Sequence, residues 1–464
     1  MVMVMLSKFF NPHSIALIGA SNKPGKIGFE LMKNIIESGF EGKIYPVNPK
    51  LSSILNLKCY SSILDIPEPV DLAIIVVPAP LVPKIMKDCG EKAIKNVIII
   101  SAGFSEVGNS KLEEEVRQIA KRYNIRVIGP NCAGIISSWN NLFAFFETRL
   151  EKGTVSVLSQ SGAFGGALMT YISKEGLGIS KFVSYGNAMD IDETDLIGYF
   201  LSDEKTSVIG LYVEAIRRGR KFANILKSKL KEISKPIVVL KTGRTTQGER
   251  AASSHTGALA GRDKIYDGVF RQLGIIRAYD FEEFVDSLYI LSLQPGARSN
   301  KIYIVTNSGG PGVMATDAAI LSGLIVESPP EAIKKKLSRF LPPVCSINNP
   351  IDLTADASYE RYYNTLVSLL DSSEDEIGGV LVICVPPVFI NSTDVAKAII
   401  DANIEYKKRG VPLVACFMSG DVVKDSSELL KKNGIPVFPT PERAARALSK
   451  LYHWHIITNR KAKK

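Results

Sequence analysis

An α/β fold with mainly parallel sheets, repeated in three consecutive domains, is what three features of the sequence predict. Short, continuous apolar runs rich in β-branched residues recur along the chain, and such runs suit strands buried on both faces. Amphipathic stretches of helical length separate them, and the alternation implies strand–helix–strand units. Two polar, turn-forming stretches, around Arg149–Gly153 and at Gln294–Asn300, divide the 464 residues into segments 1–150, 151–295 and 296–464. Three Rossmann- or flavodoxin-like domains follow from that arrangement.

The strands of the first segment are expected at Ile15–Ile18, Leu72–Val77 and Val97–Ile100. Those of the second are expected at Val155–Leu158, Val208–Val213 and Ile237–Leu240. Those of the third are expected at Ile302–Val305, Val380–Val385 and Val411–Ala415. Met1–Phe10 is apolar, lacks the basic start and small-residue cleavage site of a secretory signal, and reads as a lead-in to the first strand. No run approaches the roughly 18 apolar residues of a membrane span.

Composition excludes further classes. The net charge is +10, but the basic tail (Arg460, Lys461, Lys463, Lys464) reads as a solvated end, and no basic stripe interleaved with aromatics points to nucleic acid. The six cysteines form no C-x-x-C pair, so neither a zinc site nor a disulfide framework is expected, and a reducing, cytoplasmic setting is. His453 and His455, two residues apart, do not share a helix face and are not read as a metal pair; no metal site is expected.

The first segment carries a strand, a glycine-rich loop and a helix start: Gly19, Ala20, Ser21, then Gly25, Lys26 and Gly28. The spacing is not G-x-G-x-x-G. The second strand ends Val47-Asn48-Pro49-Lys50, where an NAD site would place an acid for the ribose hydroxyl. A lysine there favours a phosphorylated ribose, as in NADP or coenzyme A. Val77-Pro78, Ser101-Ala102 and Gly129-Pro130-Asn131-Cys132-Ala133-Gly134 follow further strands, at the carboxyl ends where open α/β sheets bind ligands. Cys132 has no basic neighbour in sequence and is read as a small core residue rather than a reactive thiol.

The second and third segments open alike. Val157-Leu158-Ser159-Gln160-Ser161-Gly162 and Val305-Thr306-Asn307-Ser308-Gly309-Gly310 both end a strand and start a helix. Serine and glycine serve ordinary turns there. The free N–H groups and partial positive charge of a helix start also suit an anion. His255 lies in a long polar stretch after the strand Ile237–Leu240, read as a loop, and Glu214 stands at the end of the strand Val208–Val213.

Gly129–Ile136, Val77–Pro80, the Gly19–Ser21 loop and Ser253-Ser254-His255-Thr256-Gly257-Ala258 together resemble the succinyl-CoA synthetase superfamily, and within it the α subunits of ADP-forming acetyl-CoA synthetases. Residues 300–464, with Asn349-Pro350-Ile351-Asp352-Leu353-Thr354, resemble the carboxy-terminal domain of the succinyl-CoA synthetase β subunit. The resemblance implies that His255 is transiently phosphorylated on a mobile loop and that Glu214 pairs with its Nδ1. It places the phosphate between the helix starts Ser161-Gly162-Ala163 and Gly309-Gly310-Pro311-Gly312. It gives coenzyme A to Gly19, Ala20, Ser21, Gly25, Lys26 and Gly28 (pyrophosphate), to Val47, Asn48 and Lys50 (adenosine and 3′-phosphate), to Val77, Pro78, Ser101 and Ala102 (adenine and pantetheine path), and to Asn131 near the thiol. Gly186–Asp190 is expected to shape the acyl pocket. No ATP-grasp domain or Walker A sequence is found. ADP or ATP with Mg²⁺ is therefore expected on an ATP-grasp β subunit, in an α₂β₂ heterotetramer, with a small carboxylic acid, CoA and phosphate as reactants. Two other readings stay open: an NADP-dependent oxidoreductase using the first segment, and a non-catalytic CoA-binding regulatory module.

Overall fold

The computed structural model describes residues 2–145, 150–229, 235–256, 262–372 and 377–462. Its contacts group into two compact units, Met1–Tyr279 and Asp280–Lys464.

The first unit holds two sheets. The lead-in is a helix, α1 (Val2–Phe10), because Leu6, Phe9 and Phe10 fall on one face and are buried. Then follow β1 (Ser14–Ile18), α2 (Ile27–Glu37), β2 (Lys43–Val47), a small antiparallel hairpin of β3 (Ser53–Ile54) and β4 (Leu57–Lys58), β5 (Leu72–Ile75), α3 (Val82–Glu91), β6 (Asn96–Ile99), α4 (Ser110–Tyr123) and β7 (Arg126–Ile128). The first sheet is parallel, in the order β2-β1-β5-β6-β7. Strands β1, β5 and β6 are buried at every position, as expected of strands covered on both faces. Helix α2 covers the sheet with Gly28, Leu31, Met32 and Ile35, one helical face.

The second sheet begins with an antiparallel hairpin, β8 (Gly134–Ser137) and β9 (Leu142–Phe145), so residues 134–145 of the 1–150 segment complete this sheet rather than the first. It continues through β10 (Lys152–Ser159), α5 (Gly162–Lys174), β11 (Ile179–Ser184), α6 (Glu193–Ser202), β12 (Val208–Val213), α7 (Gly219–Lys229), β13 (Ile237–Lys241), α8 (Thr246–Thr256), α9 (Asp263–Leu273) and β14 (Ile276–Ala278). Its order is β14-β13-β12-β10-β11-β8-β9, parallel from β14 to β11.

One expectation is corrected here. The stretch around His255 was expected to be a long polar loop, and residues 246–256 of it are helical in α8. Thr245 starts that helix: its carbonyl accepts from Glu249 N at 2.7 Å and its Oγ1 from Gly248 N at 3.1 Å. A polar surface without apolar periodicity hid the helix from a reading based on pattern, whereas Glu249, Arg250, Ala251 and Ala252 are sound helix formers. The continuation through Gly257 and Ala258 lies outside the described residues.

The second unit runs through α10 (Phe281–Leu293), β15 (Ile302–Thr306), α11 (Gly309–Leu321), α12 (Glu331–Leu337), β16 (Ile351–Asp352), α13 (Tyr359–Leu369), β17 (Gly379–Cys384), α14 (Ser392–Arg409), β18 (Leu413–Phe417), α15 (Lys424–Lys432), β19 (Val437–Phe438) and α16 (Pro441–Ala462). Its sheet is parallel, ordered β16-β15-β17-β18-β19. Helix α10, from the 151–295 segment, packs on α16, where Arg443 grips the buried Asp286 with two bonds of 2.9 and 2.7 Å.

Numbered by their own parallel strands, all three sheets run 2-1-3-4-5, the flavodoxin-like order. The order reverses between β1 and β5, between β10 and β12, and between β15 and β17. Open sheets of this kind bind ligands at the carboxyl ends of the strands flanking such a reversal, because the two outgoing loops part there and leave a crevice. Among the described residues no helix is long and apolar enough to cross a membrane.

Candidate functional site

The crevice of the first sheet is built by close backbone approach. Gly19, at the end of β1, has φ +92°, and a Cβ there would lie 2.2 Å from Val76 O. A Cβ on Gly28 would lie 2.1 Å from Gly19 O, so helix α2 sits tight against the loop. Asn48, at the end of β2, donates from Nδ2 to Ala20 O at 2.8 Å and accepts from Lys50 N at 2.9 Å. Val77 N donates to Ser101 Oγ at 3.1 Å, and Asn131 N to Ser101 O at 3.0 Å. The residues expected to bind a nucleotide therefore line one edge, with Gly25, Lys26, Lys50, Pro78 and Ala102 exposed.

That edge leads into the second sheet. The loop 186–191 runs along 127–131, with bonds from Asn187 N to Pro130 O (2.9 Å), Met189 N to Gly129 O (3.0 Å) and Ile191 N to Val127 O (3.1 Å). Gly186 permits this, since a Cβ there would meet Asn131 O at 2.2 Å. A Cβ on Gly162, the first residue of α5, would meet Ala133 Cβ at 3.1 Å. The Asn131 end of the first crevice thus meets the start of α5. Ser161 caps α5 by accepting Phe164 N at 3.2 Å.

Gln160 and Glu214 end the two strands that flank the reversal of the second sheet. Gln160 Oε1 accepts Glu214 N at 2.8 Å and Ala215 N at 3.2 Å, which holds the buried Glu214 at the mouth of the crevice. Behind Glu214 lies the fully buried Lys241, at the end of β13. Its Nζ bonds to Thr242 O and stands 4.8 Å from the centre of the Tyr266 ring, and burial lowers its pKa. The backbone of His255 lies in α8; its side chain is outside the described residues.

Sequence reasoning singled out the segment of Asn187 but not that residue's carboxylate partners, and it missed Glu193. Asn187 Nδ2 faces Ser105 Oγ (3.1 Å), Glu106 Oε2 (2.7 Å) and Glu113 Oε2 (3.0 Å), and its Oδ1 accepts from Asn131 Nδ2 at 3.3 Å. Burial would raise the Glu106 carboxyl, but the Asn187 amide and the N–H groups of Gly103 and Phe104 outweigh it and hold it below the usual range. Glu193, the first residue of α6, is buried, and its Oε1 has no hydrogen-bond partner among the described residues. Burial, with the charge of Asp192 second, pushes its carboxyl up to about 8. A signal existed for Glu113, an acid at the apolar spacing of Val116, Ile119 and Ala120 in α4. Cys132 is an inert core residue, as expected: burial pushes its thiol up to about 12.

In the second unit the helix start repeats the geometry of α5. Ser159 Oγ donates to Ser161 O at 2.6 Å, and Thr306 Oγ1 to Ser308 O at 2.8 Å. Where Gln160 holds the end of β12, Asn307 holds the end of β17, exchanging two 2.9 Å bonds with Val385 N and O. Gly309 and Gly310 are exposed at the start of α11, Pro311 is part-exposed, and Gly312 is buried against Thr306 and Pro350.

Three family descriptions match the chain: a CoA binding domain over residues 13–138, a succinyl-CoA ligase-like flavodoxin domain over 152–291, and a ligase-CoA domain over 302–461. An acetate–CoA ligase [ADP-forming] of Methanocaldococcus jannaschii is 45% identical over 96% of this chain, which spans only 63% of that longer protein. The chain is also similar to a solved dinucleotide-forming acetyl-coenzyme A synthetase of Ca. Korarchaeum cryptofilum in complex with phosphate and ADP. The TM-score is 0.93 and the identity 38%, covering 99% of this chain and 98% of that one. It is 42% identical to the α subunit of acetate–CoA ligase [ADP-forming] I of Pyrococcus furiosus, covering 97% of both chains. On that likeness over nearly the full length of both, the chain belongs to the ADP-forming acetate–CoA ligase family.

Proposed function

We propose that this chain binds CoA and a short carboxylic acid and carries the phosphoryl group of an ADP-forming acyl-CoA synthetase. In the ATP-forming direction phosphate attacks the thioester carbonyl and CoA leaves as the thiol, giving an acyl phosphate. A ring nitrogen of His255 then takes the phosphoryl group and releases the carboxylate. ADP accepts the phosphoryl group in the last step. The sum is acyl-CoA + ADP + phosphate ⇌ carboxylic acid + CoA + ATP.

The observation that carries this reading is the convergence inside one unit. Asn131, at the thiol end of the CoA edge, shares a hydrogen bond with Asn187, and the neighbouring Ala133 touches the start of α5, two residues beyond the Gln160 that holds Glu214. A helix start offers roughly 0.3–2 kcal/mol to an anion as well as its free N–H groups. Ser161, Gly162 and Ala163 hold the phosphate. Glu214 accepts from the Nδ1–H of His255, which fixes the tautomer and leaves Nε2 as the nucleophile.

ADP and Mg²⁺ belong to an ATP-grasp β subunit in a cytoplasmic α₂β₂ assembly. The reading is supported by the match to an α subunit over 97% of both chains, beside a longer Methanocaldococcus relative of which this chain spans 63%. Acetate is the first acid to try, given the names of the relatives.

The test is phosphohistidine formation. The chain is incubated with acetyl-CoA and labelled phosphate, with and without its β subunit, beside His255→Ala. Acid-labile, alkali-stable label on the wild type and none on the variant is expected. Tight CoA binding without label under either condition would instead make the chain a non-catalytic CoA-binding module.

A further inference from the structure

Three successive backbone N–H groups follow β12, and side chains from two different elements hold all three. Gln160, at the end of β10, takes those of Glu214 and Ala215; the hydroxyl of Tyr266, from α9, takes that of Ile216 at 3.2 Å. Helix α9 is itself fastened to the sheet, because Arg277 of β14 pairs with Asp263 and, at 2.7 Å, with Asp267. Tyr266 shares a face of α9 with Phe270, whose ring centre is 5.7 Å away. The hydroxyl that reaches Ile216 therefore comes from an anchored helix.

Lys241 gives the Tyr266 ring its seat. The lysine is 0% exposed and ends β13, opposite Val213 in the parallel pairing of β12 with β13. Its ammonium has no carboxylate partner among the described residues. Asp263 is taken by Arg277, while Lys241 Nζ bonds to Thr242 O and lies 4.8 Å from the centre of the Tyr266 ring. A buried charge with so few partners is costly, and an apolar side chain would fill the same place without that cost. Thr242 is the first residue of the connection from β13 to α8, and its N–H donates to Val213 O at 3.2 Å. One contact, cation on ring, thus joins the backbone on which Glu214 stands to the root of the helix that carries His255.

We infer that Tyr266 is a positioning residue of the phosphoryl-transfer step and that Lys241 is the seat that holds it. Glu214 and His255 belong to separate connections, after β12 and after β13, so their hydrogen bond fails if either connection drifts. A misplacement of about 1 Å at a reacting group costs on the order of a hundredfold in rate. Gln160 restrains the first connection from the side of β10, Tyr266 restrains it from the side of α9, and Lys241 ties Tyr266 to the second. Both residues act through the backbone at 214–216 and 242 rather than on phosphate, acid or CoA. The inference rests on the proposed function, since the pair it aligns is the pair of that reaction.

The test uses the full chain with its β subunit, acetyl-CoA and labelled phosphate, in a single turnover. Tyr266→Phe keeps the ring on Lys241 and deletes only the hydroxyl. Label should enter His255 about tenfold more slowly, the factor for one lost hydrogen bond. The phosphate and acetyl-CoA concentrations for half-maximal rate should hold. Tyr266→Leu and Lys241→Met should each slow labelling as well, and the double variant no further than the slower single one, because both remove one contact. Wild-type rates in Tyr266→Phe overturn the inference. So do multiplying effects in the double variant, or a loss of phosphate or CoA affinity that accounts for the slowing. A second measurement needs no catalysis: hydrogen–deuterium exchange of the peptide holding residues 214–216, which Tyr266→Phe should quicken while exchange in the first sheet holds. Unchanged exchange there overturns the inference, whether or not His255 takes up phosphate. A wild type that takes up no label, with exchange at 214–216 still quickened in Tyr266→Phe, rejects the function and keeps the tie.

Discussion

Gln160 Oε1 accepts the backbone N–H of Glu214 at 2.8 Å, across the reversal of the second sheet. One amide oxygen thereby fixes the carboxylate that the proposed chemistry sets against His255. It also receives Ala215 N at 3.2 Å, so Gln160→Ala orphans two buried donors. The expected cost is about 1–3 kcal/mol for each buried donor left unpaired. The rate of histidine labelling should fall by at least about tenfold, since Glu214 is then free to shift. Gln160→Glu keeps an acceptor and should recover most of the melting temperature; a variant pair that melts and labels alike would remove Gln160 from the argument.

Glu214→Gln keeps the shape and deletes the charge. If Glu214 fixes and polarises the His255 ring, labelling slows by about 10²–10⁴-fold, as for other carboxylate–histidine pairs. CoA affinity should hold within a small factor, because Glu214 ends the β12 strand of the second sheet and not a strand of the first. Rapid-quench labelling beside a CoA titration checks both halves.

Asn187 joins Glu106 and Glu113 on one side to Asn131 on the other. Asn187→Asp places a third carboxylate within hydrogen-bond distance of two others and removes their donor. Destabilisation of about 2–5 kcal/mol is expected, together with weaker CoA binding through Asn131. Calorimetry of the free and CoA-bound chain should show a lowered melting temperature that CoA restores less than in the wild type.

Gly19 and Gly25 both have positive φ, +92° and +80°, but only Gly19 is crowded. Gly25→Ala meets nothing within 4 Å and should cost only the left-handed strain of about 1–2 kcal/mol. Gly19→Ala adds a collision with Val76 O at 2.2 Å and should cost about 1–3 kcal/mol more, with loss of CoA binding. Equal melting temperatures for the two variants would contradict the close approach of β1 and β5.

The carboxyl of Glu193 sits at about 8 in the fold against an ordinary 4.5. The native state therefore keeps a proton that the unfolded chain loses between those values. Stability from this group is complete below pH 4.5 and is lost as pH rises to about 8, with a slope of at most about 1.4 kcal/mol per pH unit. The neighbouring charges of Asp192, Arg217 and Arg218, and the phenols of Tyr185 and Tyr266, are common to wild type and Glu193→Gln and cancel in the comparison. The melting temperature of Glu193→Gln should gain on the wild type from pH 5 to 8 and no further above it.

Much of this was legible in the residues. The apolar runs located the main strands to within three residues, because a strand buried on both faces needs an unbroken apolar stretch and little else produces one. The glycine loops and helix starts were legible because close backbone approach leaves few residue choices. The helical state of residues 246–256 was not, since a polar sequence without an apolar stripe does not betray a helix. Nor were Asn187 and Glu193, whose roles depend on neighbours far away in sequence: Glu106 and Glu113 reach Asn187 from some 80 residues off.

By itself, the sequence determined the α/β class, the three successive sheets and the family, all of which depend on local patterns or short strings of residues. Only the tertiary structure decided that Gln160 holds Glu214, that β8 and β9 complete the second sheet rather than the first, and that Glu193 is buried with its Oε1 lacking a hydrogen-bond partner among the described residues. The physical reason is that burial and hydrogen-bond satisfaction belong to the assembled neighbourhood: the glutamate that would be a solvated charge on an open helix has its carboxyl pushed up to about 8 once the fold buries it.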